Sequence, residues 1–400
     1  ATMILLDHPY VSDILRRTVV EGALPVVLTP AARELGFADA PGAISEQAAI
    51  DRLRDDPHTR VLSNSENAIG WVAANLGFTD LPAAIDLCKN KLSFRHLLRD
   101  LYPDFRYREV RPDELDTLDP EAIGHPFVIK PAVGFFSLGV HLVNRPEQWP
   151  AARRALADQL ASPSALYPRE VLDSSSLILE EIITGTEYAI DAYYDARGEP
   201  VITNILQHLF SSESDVSDRV YLTGEKVVSD NLESFTAFLA QVGRLAGWRD
   251  FPVHVEVRVD ASGHIIPIEF NPLRYGGWCT TADLTILGFG LNPYLAFLND
   301  ERPDWPAIFA ARRDKLYSLV VLDNSTGIDP GRIVGFDHQR LASWFSRPLE
   351  VRPMDLGRTG VFGFLFLETP EDRRDELERV LHSDLREFVQ VSGQASGTIP

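Results

Sequence analysis

In HVEVRVDASGHIIPIEFN, residues 254–271, two carboxylates and an amide recur inside otherwise apolar alternation. Glu256 and Glu269 fall on the two arms of a predicted hairpin turned by Ser262–Gly263–His264. Asn271 follows Glu269 by two residues, so both side chains leave a strand on the same face. Two carboxylates and an amide oxygen are hard oxygen donors. They suit Mg²⁺, which takes few protein ligands and completes its shell with phosphates and water. Without a cation, carboxylates so placed would repel and shift their pKa. The plainer reading is a hairpin with outward acids. It fits Glu256 less well, because His254, Glu256 and Arg258 would share its face.

A second group lies upstream, in HPFVIKPAVGFFSLGVHLV, residues 125–143. Lys130 ends an apolar strand, where an unpaired ammonium is costly. The loop after it carries Gly134, Ser137 and Gly139, and GVHLVN returns as a second strand. Glycines let a backbone approach an anion closely, loop N–H groups can cradle a phosphate, and the lysine supplies a point charge. A lysine that snorkels to solvent beside an ordinary turn is the competing account.

The third group is LILEEIITGTEYAID, residues 177–191. Glu180 and Glu181 sit at the end of an apolar strand, and Glu187 follows a turn. These acids can accept hydrogen bonds from an adenine amino group or ribose hydroxyls, and the peptide groups near Ile182 and Ile183 can pair with a purine edge. Solvated acids at an exposed strand end are the alternative.

The surrounding elements set these groups in order. MILLD, LPVVLT and TRVLSNSE read as short strands alternating with helical DILRRTVVEGA and AIGWVAANLG, a small parallel α/β unit. No GxGxxG follows the first strand, which removes the main support for a redox dinucleotide fold. LPAAIDLCKNKLSFRHLLRDLYP reads as one helix with Lys89 and Lys91 near its start. YAIDAYYD and GEPVITNILQHLF pair, NLESFTAFLAQVGRLAGW is an amphipathic helix, and a last helix is predicted from about 371 to 389. There Leu377, Val380, Leu381, Leu385 and Phe388 would share one face. The insert-like QHLFSSESDVSDRVYLTGEK, residues 207–226, carries His208, Asp215, Arg219 and Tyr221; it reads either as a substrate-contacting segment, its arginine clamping a carboxylate, or as a surface loop.

The chain has 400 residues, 45% of them hydrophobic and 24% charged, enough for two or three units with a sizeable core. Its net charge, 38 minus 58 or −20, disfavours non-specific binding to nucleic acid or an anionic membrane. The two cysteines, Cys88 and Cys279, make neither a disulfide framework nor a zinc pattern. The N-terminus lacks a basic n-region, and no apolar run approaches the roughly 18–20 residues that span a bilayer. A reducing cytoplasm is the expected location.

Taken in order, Lys91, Lys130 with its glycine loop, E-E-x-x-x-G-x-E, Glu256 and E-F-N resemble the ATP-grasp superfamily over about residues 85–300. The resemblance implies an α/β and α+β fold. It has an N-terminal pre-ATP-grasp unit (1–88), a grasp domain (89–300) and a C-terminal α/β extension (301–400). The grasp domain divides into a lid region of about 105–180 and a metal-binding region of about 181–300. By position, Lys91 and Lys130 would contact phosphates, with Ser137 and Gly139 in a lid over them. Glu180, Glu181 and Ile183 would hold adenine and Glu187 the ribose. Glu256, Glu269 and Asn271 would bind Mg²⁺, with Mn²⁺ as the alternative. Arg274 would steady the transferred phosphoryl group or the acyl intermediate. Many members place that arginine two positions after the asparagine. Here NPLR places it three positions on, which leaves Arg258 open as the contact.

The implied activity is an ATP-dependent carboxylate–amine ligase acting through an acyl phosphate on an amino acid or small carboxylic acid. A kinase or carboxylase-type activator of the same fold, and a nucleotide-binding regulatory protein without turnover, are the other readings. The expected partners are small-molecule carboxylate and amine substrates, with a homodimer left open and neither nucleic acid nor membrane.

Overall fold

The computed structural model describes residues 1–133, 139–161 and 176–393. The N-terminal unit is built on two parallel strands, β1 (Thr2–Leu5) and β2 (Arg60–Ser63). The expected strand at 24–29 is reduced to single bridges, Ile4 to Val26 and Val27 to Ile44. Its helices start where the sequence offers a hydroxyl. Ser12, Thr29 and Ser45 each accept a backbone N–H of the first turn.

The helix expected from Leu81 onward is broken in two, Leu81–Lys89 and Lys91–Leu97. Asn90 is extended (φ −90°, ψ 102°), and its side chain accepts Ser93 N–H, so it caps the second helix instead of continuing the first. The break fixes the direction in which Lys91 leaves the backbone.

Four antiparallel strands form the next layer: β3 (Tyr107–Val110), β4 (Phe127–Pro131), β5 (His141–Val143) and β6 (Leu177–Glu181), in the order β3-β6-β4-β5. Phe127, Ile129, Val143, Leu177 and Leu179 are buried against the helix Trp149–Ala161 and its approach. The opposite face of β4 and β6 carries Lys130 and Glu180, diagonal neighbours in the register that pairs Lys130 with Ile178 and Val128 with Glu180.

The largest sheet has eight strands: β7 (Thr186–Tyr194), β8 (Pro200–Leu209), β9 (Val220–Gly224), β10 (Phe251–Val259), β11 (Ile265–Pro272), β12 (Lys315–Asp323), β14 (Arg347–Pro353) and β15 (Val361–Pro370). A separate pair joins β13 (Ile333–Phe336) to β16 (Val389–Val391). The spatial order β11-β10-β7-β8-β9-β12-β15-β14 runs β12, β15 and β14 on from β9 without interruption. One face packs on the long helix Glu225–Ala246 through Val228, Phe235, Phe238, Leu239 and Val242. Gly243 is needed there: a Cβ would lie 2.3 Å from the Tyr194 ring. The other face turns toward the candidate site.

The last helix spans only Asp375–Leu381. Ser383 Oγ then accepts Leu385 N–H and Asp384 accepts Arg386 N–H, and Leu385 takes a left-handed φ of 62°. Leu377, Val380, Leu381, Leu385 and Phe388 are nonetheless buried in one core, reached through a turn instead of a single helical face.

Candidate functional site

β10 and β11 place Glu256 directly across from Glu269. Just beyond, a bulge leaves Ile268 unpaired, breaking the strict alternation and turning the strand where the acids stand. Neither carboxylate has a hydrogen bond or close ion pair among the described residues; Glu256 comes no nearer a cation than 3.9 Å, at His254 Nε2. Withdrawal from water, then the facing charges of Glu269 and Glu187, push the Glu256 carboxyl well above the usual range. Asn271 is buried two residues further along β11. Behind it, buried His254 binds Asp191 at 2.7 Å, while the second Asp191 oxygen has no hydrogen-bond partner among the described residues. Among the described residues no set of three or more His, Cys, Asp or Glu could hold a metal unaided. Two acids and one amide oxygen fit a cation that takes its remaining oxygens from phosphate and water.

Lys130 answers to a different partner from the one its sequence context suggests. Its ammonium lies 2.5 Å from Glu180, and Arg95 holds the other oxygen at 3.1 Å. Glu180 is 2% exposed. Burial alone would raise its carboxyl, but Lys130 and Arg95 outweigh that and bring it to about 2. Arg95 also donates to Pro267 O at 2.9 Å, which ties the four-stranded layer to β11. The Glu180 side chain is thus committed to internal cations. Its neighbour Glu181 pairs at 2.8 Å with the exposed Arg106.

Lys91 lines the same small cavity as Lys130, Glu180, Glu269 and Cys88. Its ammonium has no ion pair among the described residues. Burial lowers its pKa, against the pull of Glu269. Lys91 N–H donates to Ala132 O at 2.9 Å, binding the helix start to the end of β4. Gly139, at φ 74°, lies two residues before β5, and a Cβ there would sit 3.0 Å from the Pro131 ring. Ser137 and Gly134 lie outside the described residues.

Glu187, Ile183 and Arg258 form a closed group. Arg258 Nε and Nη2 each lie 3.0 Å from Glu187, and Nη1 donates to Ile183 O. His208 Nδ1 holds the other Glu187 oxygen at 2.8 Å, and its Nε2 meets Ser217 O at 2.9 Å. Burial opposes ionisation of Glu187, but the His208 and Arg258 contacts lower its pKa overall. Tyr221 stacks on His208 with centroids 4.3 Å apart. Of the 207–226 segment, His208 and Tyr221 therefore reach the site. Arg219 does not: it binds Asp323 at 2.9 Å and the carbonyls of Val380 and Ser383, pinning β9 to the C-terminal part. Asp215 caps its own loop through Ser211 and Ser217.

Arg274 reaches back to the N-terminal unit. Its Nη2 lies 2.6 Å from Glu66, whose other oxygen holds Lys89 at 2.5 Å. Burial would raise the Glu66 carboxyl; Arg274 and Lys89 prevail and bring it to about 2. Cys88 and Cys279 are free and buried, and burial raises both thiols, so neither has thiolate character.

Arg95, Glu66 and Asp191 were not singled out from the sequence. Arg95 had a signal, falling four residues after Lys91 and so on the same helical face. Glu66 looks like a helix-start acid, and Asp191 is a polar interruption in an apolar strand.

Residues 123–282 match the family model of the ATP-grasp domain. No curated protein matches the chain by sequence. Among solved structures, an L-amino acid ligase from Bacillus licheniformis superposes with a TM-score of 0.69 at 16% identity, over 98% of this chain and 99% of that one. An N5-carboxyaminoimidazole synthase from Aspergillus clavatus, in complex with ADP and 5-aminoimidazole ribonucleotide, gives 0.61 at 18% identity, over 95% and 97%. A biotin carboxylase from Campylobacter jejuni gives 0.62 at 12%, over 98% and 92%. At such identities the structural likeness speaks for the fold. Residues 123–282 match the ATP-grasp domain, and the likeness to solved structures shows a shared fold over nearly the whole chain.

Proposed function

We propose that the chain is an ATP-dependent carboxylate–amine ligase that works through an acyl phosphate. The observation that carries this reading is that Glu269, which faces Glu256 across the hairpin, shares one small cavity with Lys91 and Lys130. Anionic and cationic groups left so close, yet incompletely paired, suit a metal–polyphosphate substrate, whose charges complement both.

Mg²⁺, held by Glu256, Glu269 and Asn271, would neutralise phosphate charge and polarise the phosphoryl oxygens. Lys91 and Lys130 bind the phosphates, and Lys130 is held in place by Glu180 before they arrive. The main-chain groups of Glu181 and Ile183 take the adenine edge, and Glu187 faces the ribose. A substrate carboxylate oxygen attacks the γ-phosphorus, the bond to the β-phosphate bridging oxygen breaks, and ADP leaves. Arg274 steadies the charge on the transferred group. An amine nitrogen then attacks the acyl carbon, the carbon–oxygen bond to phosphate breaks, and the nitrogen loses a proton to solvent. Catalysis is mainly positioning and charge compensation. The carboxylate donor is an amino acid or small carboxylic acid, in line with the neighbouring L-amino acid ligase fold.

Among the described residues no helix is long and apolar enough to cross a membrane. The test is ADP and phosphate release with Mg·ATP across a matrix of amino acids, small carboxylic acids, bicarbonate and amines, with products read by mass spectrometry. Release that needs two co-substrates and yields an amide supports the ligase. A carboxylated or phosphorylated product would replace it with an activator of the same fold. ATP binding without turnover for any pair would leave the regulatory reading.

A further inference from the structure

We propose that Glu66, supplied by the N-terminal unit, is the positioning residue for Arg274 and so sets the arginine's action on the transferred phosphoryl group. The inference rests on the role given to Arg274 in the proposed function.

Three observations converge on it. First, both Glu66 oxygens are used, one 2.6 Å from Arg274 Nη2 and the other 2.5 Å from Lys89 Nζ, with Glu66 9% exposed. Second, the backbone that presents Arg274 is fixed at the preceding residue. Leu273 N–H donates to Pro252 O at 2.9 Å, and Leu273 O accepts Ser63 N–H at 2.7 Å. Ser63 ends β2 three residues before Glu66, so one short N-terminal turn grips the arginine both by main chain and by carboxylate. Third, Leu273 holds a left-handed φ of 62°, a conformation a leucine adopts only under constraint. That turn redirects the chain where the arginine stands one position later than in the resembling pattern. Arg274 Nη1 is spent on Tyr275 O at 2.8 Å, so the guanidinium is fixed from two sides. It remains close enough to Glu256 to act on that carboxylate's ionisation.

Lys89 makes the arrangement more than a brace. It ends the helix Leu81–Lys89, two residues before Lys91. One carboxylate therefore registers cations from two separate segments against each other. Without it, Lys89 and Arg274, with side chains 10% and 14% exposed, would repel with little water between them.

The experiment compares Glu66→Gln, Glu66→Asp, Arg274→Gln and the double variant Glu66→Gln/Arg274→Gln. We expect Glu66→Gln to lower kcat ~10–100-fold, the range for a partner that orients a functional group, with the ATP KM within about twofold. Glu66→Asp keeps the charge and the fold but draws the guanidinium inward, and should lower kcat to a similar degree. In the Arg274→Gln background Glu66→Gln should cost nothing further. Calorimetry with Mg·ADP and with Mg·ADP plus aluminium fluoride gives a readout independent of turnover. Glu66→Gln should weaken the aluminium fluoride complex ~10-fold and leave Mg·ADP unchanged. Additive losses in the double variant, or equal weakening of both complexes, would overturn the positioning role. A wild-type chain inactive with every substrate pair would defeat the ligase reading, while the aluminium fluoride comparison would still decide the Glu66–Arg274 coupling.

Discussion

The two ends of the candidate site handle the burial of charge in opposite ways. At the end assigned to the nucleoside, Glu187, Arg258, His208 and Ile183 satisfy one another with contacts of about 3 Å. At the end assigned to the metal, Glu256 faces Glu269 with no cation within 3.5 Å of either among the described residues. The first end is complete without a ligand, and its polar groups have already exchanged water for each other. The second holds two facing carboxyls, one driven toward its protonated form by burial and by the other's charge, that a dication would reconcile. A fold keeps such a pair at the expense of stability, and the pair is therefore the better guide to chemistry.

The sharpest way to break the contrast is to remove one bare acid. Glu269→Ala should reduce ligase turnover by about 10³-fold, because a metal ligand worth several kcal/mol in the transition state is lost. The melting temperature of the ligand-free chain should hold or rise, since Glu256 loses its facing charge. Steady-state kinetics and a thermal melt read both. Turnover near wild type from a folded variant would remove the metal assignment.

The opposite result is expected from a satisfied acid. Glu180→Ala leaves Lys130 and Arg95 without their common partner in a site 2% exposed at the carboxylate. Breaking one member of a buried ion network typically destabilises by about 3–5 kcal/mol. Urea unfolding should show that loss. A variant as stable as wild type would mean that the two cations find other partners.

The same contrast explains what could be read in the chain alone. Alternation and order of motifs located the hairpin, the Lys130 strand and the acids at 180, 187, 256 and 269, because these rest on local periodicity. Partners across the fold were not legible. Nothing in LILEE tells that Glu180 will close on Lys130 and Arg95, and nothing in SNSEN that Glu66 will meet Arg274, 208 residues away. The Asn90 break and the end of the last helix at Leu381 were missed for a local reason. Both turn on side chains that compete with the backbone for hydrogen bonds, where apolar periodicity runs straight through. β9 was hidden at the end of a polar insert: it pairs with β8 only across that insert, and with β12 almost a hundred residues downstream.

pH separates the two kinds of acid by sign. The raised Glu256 carboxyl keeps its proton in the folded chain over a range where the unfolded chain has lost it. Stability of the Mg²⁺-free protein must then fall as pH rises above about 4.5. Glu180 and Glu66, both brought to about 2, act in reverse: their contribution is present above about 4.5 and is lost as pH falls through about 2. Asp283, raised by burial to about 6 against the pull of Arg352, adds to the upper limb. Melting curves from pH 4 to 8 should therefore show a decline on the alkaline side that Glu256→Gln lessens and Mg·ADP suppresses. A decline identical in Glu256→Gln would assign the whole limb to Asp283.

The smallest effect is expected at the satisfied end, and it decides between two arginines. Arg258 is held by Glu187 and Ile183 O, whereas Arg274 is held by Glu66 within electrostatic reach of Glu256. If Arg258 serves the nucleoside end, Arg258→Leu loosens Glu187 and the main chain at Ile183. The ATP KM should rise ~10-fold, equivalent to about 1.4 kcal/mol, with a smaller change in kcat. If Arg258 instead contacts the acyl intermediate, kcat falls by more than about 10²-fold while ATP affinity measured by calorimetry holds. The split between KM and kcat matters more here than the size of either. A group that binds ground state and transition state alike appears in KM alone, and one that meets only the developing charge appears in kcat. Both arginines are held by a carboxylate and a carbonyl, so location decides: Arg258 is bonded to Glu187 and Ile183 at the end assigned to the nucleoside, which favours the first outcome, whereas Arg274 acts on Glu256 at the end assigned to the metal.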